Sequence, residues 1–196
     1  MFANRFTALL DACVLASPLK RNLLLTLAEA EFFRPRWSAR ILGETERAIG
    51  KQLLAKGAED AEAKAARARG AMAQAFEDAL VTGYEHLEAG FAGLPDPDDR
   101  HVLAAAVKTR ASIIVTDNLR DFPEDVLRPL DLEAKGADAF IADTIDLRVA
   151  AAVPAIRRMR ERFRRPGKTP EVLFLDMERA GLTLTADALR DHLGSL

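Results

Sequence analysis

The stretch Phe6-Thr-Ala-Leu-Leu-Asp-Ala-Cys-Val-Leu15 is the part of the sequence that decides the fold. Its short apolar run predicts a buried β-strand, and Asp11 marks the point where that strand ends. A buried carboxylate without a partner is costly or shifts its pKa, so Asp11 should have a partner. We therefore expect Asp11 at the carboxyl end of a central strand, where open α/β sheets form their ligand crevice.

Strand and helix patterns alternate from this stretch through about residue 135. Ser17-Pro18 is a typical helix start, and Ser38 should cap the helix that follows the second strand. The predicted elements are a helix over 19–31, a strand over 32–37, a helix after Ser38, an exposed helix over 59–80, a strand over 81–87, a helix over 98–110 and a strand over 112–116. This alternation predicts an open parallel sheet.

From Gly136 onward only helices are expected. An apolar stripe at steps of four and three predicts the longest of them, and it comprises Val149, Val153, Ile156, Met159 and Phe163. Pro166-Gly167 should end that helix, Thr169-Pro170 should begin another, and Thr185 should cap a last short one. We therefore divide the chain into an α/β domain over residues 1–135 and an all-helical extension over residues 136–196.

The composition excludes several classes of protein. The net charge is −2, so a nucleic-acid partner would have to be attracted by local charge. Cys13 is the only cysteine, which excludes an intrachain disulfide, favours a reducing cytoplasm and suits a buried apolar role better than a reactive thiol. No stretch approaches the roughly 20 apolar residues that a membrane span needs.

Acidic residues occur after the predicted strands and on or before the predicted helices. Such a sheet would expose these positions at one edge. They are Asp11 after the first strand, Asp117 after Thr116, Glu44 on the helix after Ser38, and Asp96, Asp98 and Asp99 before a helix. Alone, each would be a cap, a turn residue or a solvated side chain. If they converge, their mutual repulsion requires a cation. All-oxygen ligands favour Mg²⁺ or Mn²⁺, and the sequence has no His or Cys cluster for zinc.

Four short motifs occur in an order that resembles the PIN-domain family, in particular VapC-type toxins and their longer relatives. They are Leu9-Leu10-Asp11, Ile41-Leu42-Gly43-Glu44, Asp96-Pro-Asp-Asp-Arg-His-Val-Leu-Ala-Ala-Ala106 and Ile114-Val-Thr-Asp-Asn-Leu-Arg-Asp-Phe122. The resemblance implies a three-layer α/β/α fold with a parallel central sheet. It also implies an endoribonuclease site that holds Mg²⁺ or Mn²⁺, and the tail resembles the helical C-terminal extension of the longer relatives.

The resemblance also assigns roles to single residues. Asp11, Glu44 and Asp99 match the first three metal-binding acids of the family. Asp117 is the favoured fourth acid because it directly follows the strand, with Asp121 or Asn118 as the alternative. Thr116 is expected to orient one of the carboxylates as a hydrogen-bond donor.

Basic residues are candidates for contact with RNA or with an antitoxin. They are Arg100 and, in the extension, Arg157, Arg158, Arg164 and Arg165. A solvated helix face explains the arginines of the extension equally well. His101 suits a structural or exposed imidazole better than an acid or base, because a metal mechanism needs no histidine.

The expected function is therefore that of an RNA-cutting toxin, cytoplasmic, held inactive by an antitoxin, with a homodimer as a family expectation. A housekeeping nuclease without an antitoxin and an inactive PIN-like binding module are the alternatives. A magnesium-dependent phosphatase of another α/β family is disfavoured, because such enzymes use Asp-x-Asp after the first strand and this chain has Asp11-Ala12-Cys13.

Overall fold

The structure is a computed structural model that describes residues 6–163 and 167–196. These residues form two compact units. The first contains the described residues up to Ser17 together with Arg34–Lys135, and the second contains Pro18–Phe33 and Gly136–Leu196. In the described residues, no helix has the length and apolar character to cross a membrane. The division at residue 135 into functional domains stays a prediction.

The first unit is built on a parallel sheet. In chain order its described strands are β1 (Thr7–Leu10), β2 (Arg34–Ser38), β3 (Leu80–Val81), β4 (Ile113–Val115) and β5 (Glu133–Lys135). Across the sheet they follow the order β3-β2-β1-β4-β5, and every neighbouring pair is parallel. The predicted parallel sheet is confirmed, with β1 at its centre.

Helices are divided between the two units. In chain order they are α1 (Ala12–Ala16), α2 (Pro18–Glu29), α3 (Ala39–Ala55), α4 (Ala61–Ala75), α5 (Arg100–Lys108), α6 (Glu124–Leu127), α7 (Ala137–Leu147), α8 (Val149–Glu161), α9 (Pro170–Arg179) and α10 (Thr183–Leu189). The second unit contains α2 and α7 to α10, and the first contains the others. The helical character expected after Gly136 is confirmed.

Buried apolar side chains fix the centre of the first unit. Leu9 and Leu10 of β1 and Ile114 and Val115 of β4 have no exposed surface, which is why both strands lie inside the sheet. Ser38 caps α3 as predicted, because its Oγ accepts a hydrogen bond from the backbone N–H of Ile41 at 3.1 Å.

Two predictions in this unit were wrong or incomplete. The strand expected over 81–87 ends at Val81, because Gly83 has φ +66° and breaks the extended backbone, and Glu85–Gly90 is a 3-10 helix. The edge strand β5 was not predicted, since Glu133-Ala-Lys135 is short and polar.

In the second unit, Asp138 of α7 takes the role that the sequence assigned to Thr185. Helix α10 begins at Thr183, so Thr185 lies inside it rather than at its cap. The Asp138 carboxylate accepts hydrogen bonds from the backbone N–H groups of Leu184 and Thr185 at 2.9 and 2.8 Å, and from Thr185 Oγ1 at 2.8 Å. The start of the helix is therefore capped from another helix.

The other helix ends of the second unit agree with their sequence signals where they are described. Thr169 caps α9, and its Oγ1 accepts from the N–H of Val172 at 3.4 Å. Helix α8 ends at Glu161, and Pro166, the predicted helix breaker, lies outside the described residues.

Replacing Asp138 with alanine should lower the free energy of unfolding by about 2 kcal/mol, because two N–H groups of α10 and the buried Thr185 hydroxyl lose a charged acceptor. Urea unfolding followed by circular dichroism measures this loss. Asp146→Ala, at an exposed position on the same helix, is the control and should stay within about 0.5 kcal/mol of the wild type. Equal stability of the two variants would contradict the cap.

Candidate functional site

The order of the strands creates a crevice between β1 and β4. The chain first places β2 and then β3 on one side of β1, and afterwards places β4 and β5 on its other side. Open α/β sheets bind ligands outside the carboxyl ends of their strands at such a reversal. Asp11 directly follows β1, and Thr116 directly follows β4, so both residues lie at this crevice.

Asp11 is held by uncharged donors on both of its carboxylate oxygens. Its Oδ1 accepts from the N–H of Ala12 at 2.6 Å, which makes Asp11 the N-cap of α1. Its Oδ2 accepts from Thr116 Oγ1 at 2.7 Å and from Cys13 Sγ at 3.1 Å. The carboxylate is only 5% exposed and is fixed in orientation by these contacts. This is the contact that the sequence led us to expect of Thr116.

Cys13 makes hydrogen bonds at this site and is not only an apolar packing residue. Besides donating to Asp11, its sulfur accepts from the backbone N–H of Asp117 at 3.3 Å. Burial and the neighbouring charge of Asp11 raise the pKa of the Cys13 thiol to about 12. The thiol is therefore protonated at neutral pH and is not a nucleophile, as predicted, but it is a hydrogen-bonding member of the site.

Asp99 lies within electrostatic range of two other predicted acids. Burial, followed by the charges of Asp11, Asp96 and Asp121, raises the pKa of Asp99 from its ordinary value of 3.8 to about 6. His101 acts in the opposite direction. Besides burial, like charges from two other segments of the chain therefore act on Asp99 at this edge.

The two acids before Asp99 have other partners. Asp96 Oδ1 accepts from the N–H of Asp98 at 2.9 Å and caps the short 3-10 turn Pro97–Asp99. The Asp98 side chain is 93% exposed and lies 3.9 Å from Arg40 Nη2. Within this acidic run, Asp99 is thus the half-buried residue that faces the other carboxylates.

Glu44 extends from the second turn of α3 and is half-buried. Its Oε1 lies 3.3 Å from Arg40 Nε, 3.3 Å from His101 Nε2 and 3.9 Å from Arg47 Nη2. Burial alone would raise the pKa of Glu44, but the hydrogen bond and charge of His101, together with Arg40, outweigh it and lower that pKa. Glu44 is therefore held as an anion.

The fourth acidic position has two candidates with different surroundings. Asp121 is among the charges that raise the pKa of Asp99, and its side chain is 18% exposed. Asp117 and Asn118 are exposed, although their backbone N–H groups bind Cys13 Sγ and Thr116 Oγ1. Which of Asp117 and Asp121 serves as the fourth acid stays a prediction.

The predicted basic contacts differ in their surroundings. Arg100 is half-buried next to Asp99. In the second unit, Arg157 and Arg158 are exposed, and Arg157 Nε lies 2.9 Å from Glu161 Oε1. Arg164 and Arg165 lie outside the described residues. A role for any of these arginines in binding RNA or an antitoxin stays a prediction.

The donor set fits a hard divalent cation in chemistry and in charge. Asp11, Glu44, Asp99 and Asp121 offer only carboxylate oxygens, the ligands that Mg²⁺ and Mn²⁺ prefer. The charges of Asp11, Asp96 and Asp121 raise the pKa of Asp99 together with burial, and a cation would relieve this repulsion. Among the described residues, however, no three His, Cys, Asp or Glu side chains stand close enough together to hold an ion.

Sequence reasoning missed Arg40, which connects three parts of the site. Besides Glu44, it contacts the carbonyl oxygen of Asp98 at 3.3 Å and Glu88 Oε2 at 3.8 Å. The spacing of four residues between Arg40 and Glu44 is a helical ion-pair signal and could have identified it. Glu88 carries no such signal, because it comes from a distant 3-10 segment.

Comparison with known proteins identifies relatives of both parts of the chain. A family model described as "PIN domain" matches residues 7–120, and one described as "VapC50 C-terminal domain" matches residues 137–191. A protein of Mycobacterium tuberculosis (strain ATCC 25618 / H37Rv) named "Putative ribonuclease VapC50" is 45% identical over 76 residues. That stretch covers 39% of this chain and 45% of the relative. No solved structure matches the chain significantly.

The raised pKa of Asp99 makes a prediction for the stability of the metal-free protein. Because its folded-state pKa is above the ordinary value, the Asp99 carboxyl favours folding fully below pH 3.8, and this contribution is lost as the pH rises through about 6. Asp99→Asn removes the repelled charge and should raise Tm by roughly 3 °C at pH 8 in EDTA. The gain should disappear near pH 4.

Thermal unfolding followed by circular dichroism at the two pH values measures this difference. Asp60→Asn is the matched control, since Asp60 is exposed and makes no side-chain cap hydrogen bond. A lower Tm for Asp99→Asn than for the wild type at pH 8 would show that Asp99 is not repelled by its neighbours.

Proposed function

Because this chain belongs to the PIN domain family, whose model matches more than half of its residues, we propose that it is a metal-dependent endoribonuclease. The observation that supports this most strongly is that the charges of Asp11 and Asp121, from two other segments of the chain, act on the half-buried Asp99. Uncompensated carboxylates would repel an RNA phosphodiester, so the arrangement suits RNA cleavage only with a cation.

Asp11, Glu44, Asp99 and Asp121 would hold the Mg²⁺ or Mn²⁺. When bound, such an ion supplies a water of lowered pKa and neutralises charge that develops on the phosphate and the leaving oxygen. Thr116 orients Asp11 by donating to Oδ2, so that the carboxylate does not rotate away from the crevice. Burial of Asp11 also excludes water that would compete for its oxygens.

Two arginines would attract the substrate to this acidic edge. Arg40 is 43% exposed and already lies at Glu44 and Asp98, and Arg100 lies next to Asp99. A guanidinium binds phosphate oxygens through paired N–H donors. The RNA backbone would thus be held at the rim while its phosphate enters the crevice.

An antitoxin is the protein partner that the VapC-type resemblance suggests. The match of residues 137–191 to the VapC50 C-terminal model and the similarity to a putative ribonuclease VapC50 support membership of that toxin group. A toxin can be distinguished from a housekeeping nuclease, because only a toxin should arrest growth when it is expressed alone. A homodimer and a cytoplasmic location stay predictions.

Asp11→Asn should abolish RNA cleavage, because it removes the buried charge on which the site is built. We expect a loss of roughly 100-fold or more in the rate of cleavage of a fluorescent RNA with Mn²⁺ or Mg²⁺, and EDTA should have the same effect on the wild type. Expression in a bacterial host should arrest growth for the wild type and for the control Asp60→Asn, but not for Asp11→Asn. Equal cleavage by wild type and Asp11→Asn would refute the site.

The fourth acid can be assigned by comparing two substitutions in the same loop. Asp121→Asn should reduce cleavage as severely as Asp11→Asn, because the charge of the half-buried Asp121 acts on Asp99. Asp117→Asn should retain activity within about threefold, since its side chain is exposed. The same RNA assay measures both. The reverse order of activities would assign the fourth position to Asp117.

A further inference from the structure

His101 occupies a buried place between two of the proposed metal-binding acids. It lies in the first turn of α5, two residues after Asp99, and is only 1% exposed. Its Nε2 is 3.3 Å from Glu44 Oε1, and its charge acts on both Glu44 and Asp99. The imidazole therefore connects α3 with the segment that carries the third acid.

The other ring nitrogen makes no comparable contact. In the described part of the chain, His101 Nδ1 is buried without a hydrogen-bond partner. An unpaired buried polar atom is unfavourable, and the residues that follow on α5, from Val102 to Ala106, are buried and apolar. An apolar side chain would suit this position better if packing were its purpose. The contact between Nε2 and Glu44 is thus what an imidazole provides at this position and an apolar side chain cannot.

The charged and imidazole groups of the described residues that contact Glu44 all approach one of its oxygens. Arg40, Arg47 and His101 each approach Oε1, which leaves Oε2 as the oxygen available to a ligand. Arg40 is 43% exposed and is shared with Glu88 and Asp98, and Arg47 is 69% exposed. His101 is the buried member of the three, so it is the one able to fix the carboxylate rigidly.

We propose that His101 is a positioning residue that donates from Nε2 to Oε1 of Glu44 and so directs Oε2 of that carboxylate toward the divalent cation. This inference rests on the proposed nuclease function. It gives His101 no contact with RNA and no proton transfer, and it rests on the 3.3 Å contact between Nε2 and Glu44 Oε1.

Three substitutions at His101 separate positioning from packing. Glutamine can place its amide nitrogen near the position of Nε2, asparagine places its amide near Nδ1, and leucine offers no donor. His101→Leu and His101→Asn should weaken Mn²⁺ binding by about tenfold or more, and His101→Gln should stay within about threefold of the wild type. Calorimetric titration with Mn²⁺ alone measures the affinities, and melting curves confirm that each variant folds.

RNA cleavage kinetics provide a second readout. His101→Leu should lower kcat at a fixed Mn²⁺ concentration and leave KM for RNA unchanged, with saturating Mn²⁺ restoring part of the rate. In a Glu44→Gln background, His101→Leu should have no further effect on Mn²⁺ affinity, because both changes remove the same interaction. A purely structural role would instead add its effect to that of Glu44→Gln.

The outcomes distinguish this inference from the function on which it rests. If the wild type binds Mn²⁺ and cleaves RNA, but His101→Leu binds Mn²⁺ equally well, the positioning role is refuted and the nuclease stands. Equal weakening by His101→Gln and His101→Asn would refute it as well. If the wild type and Asp11→Asn bind Mn²⁺ equally weakly and neither cleaves RNA, the nuclease function fails, and the role of His101 with it.

Discussion

The hydrogen bond from Thr116 Oγ1 to Asp11 Oδ2 joins the ends of the two central strands, β1 and β4. Both side chains are almost wholly buried, and both follow strands whose apolar residues have no exposed surface. An ionised carboxylate in such a place needs donors, and it receives them from Thr116, Cys13 and the backbone of Ala12. The position and orientation of the remaining acids are defined relative to this fixed anion.

Electrostatic repulsion between the Asp11 carboxylate and the neighbouring acidic side chains is the physical basis of the candidate site. The protein places Asp99 and Asp121 within range of Asp11, although burial and like charge raise the pKa of Asp99 to about 6. Two arginines and a buried histidine also lie within 4 Å of the Glu44 carboxylate. A fold selected only for stability gains nothing from such crowding, whereas a cation-dependent site requires it.

Local sequence patterns predicted the strands and helices that hold the site. Contacts between distant segments determined the remaining features, which the sequence patterns could not show. The apolar run before Asp11, the Ser38 cap and the branched strand before Thr116 are local signals, and each element formed as expected. Asp138 replaced Thr185 as the cap of α10 because a cap can come from a residue 46 positions away, as at Leu184. Sequence spacing favoured Asp117 as the fourth acid, and it could not show that the charge of Asp121 acts on Asp99. The partner of His101 likewise depends on how α3 and α5 lie in the fold.

The most direct test of the central claim is a crystal structure of the protein with Mn²⁺, with the metal located by its anomalous scattering. We expect an anomalous peak at the β1–β4 crevice, coordinated by carboxylate oxygens of Asp11, Asp99 and Glu44. A structure at saturating Mn²⁺ with no peak at this crevice, or with Mn²⁺ bound only elsewhere on the surface, would contradict it.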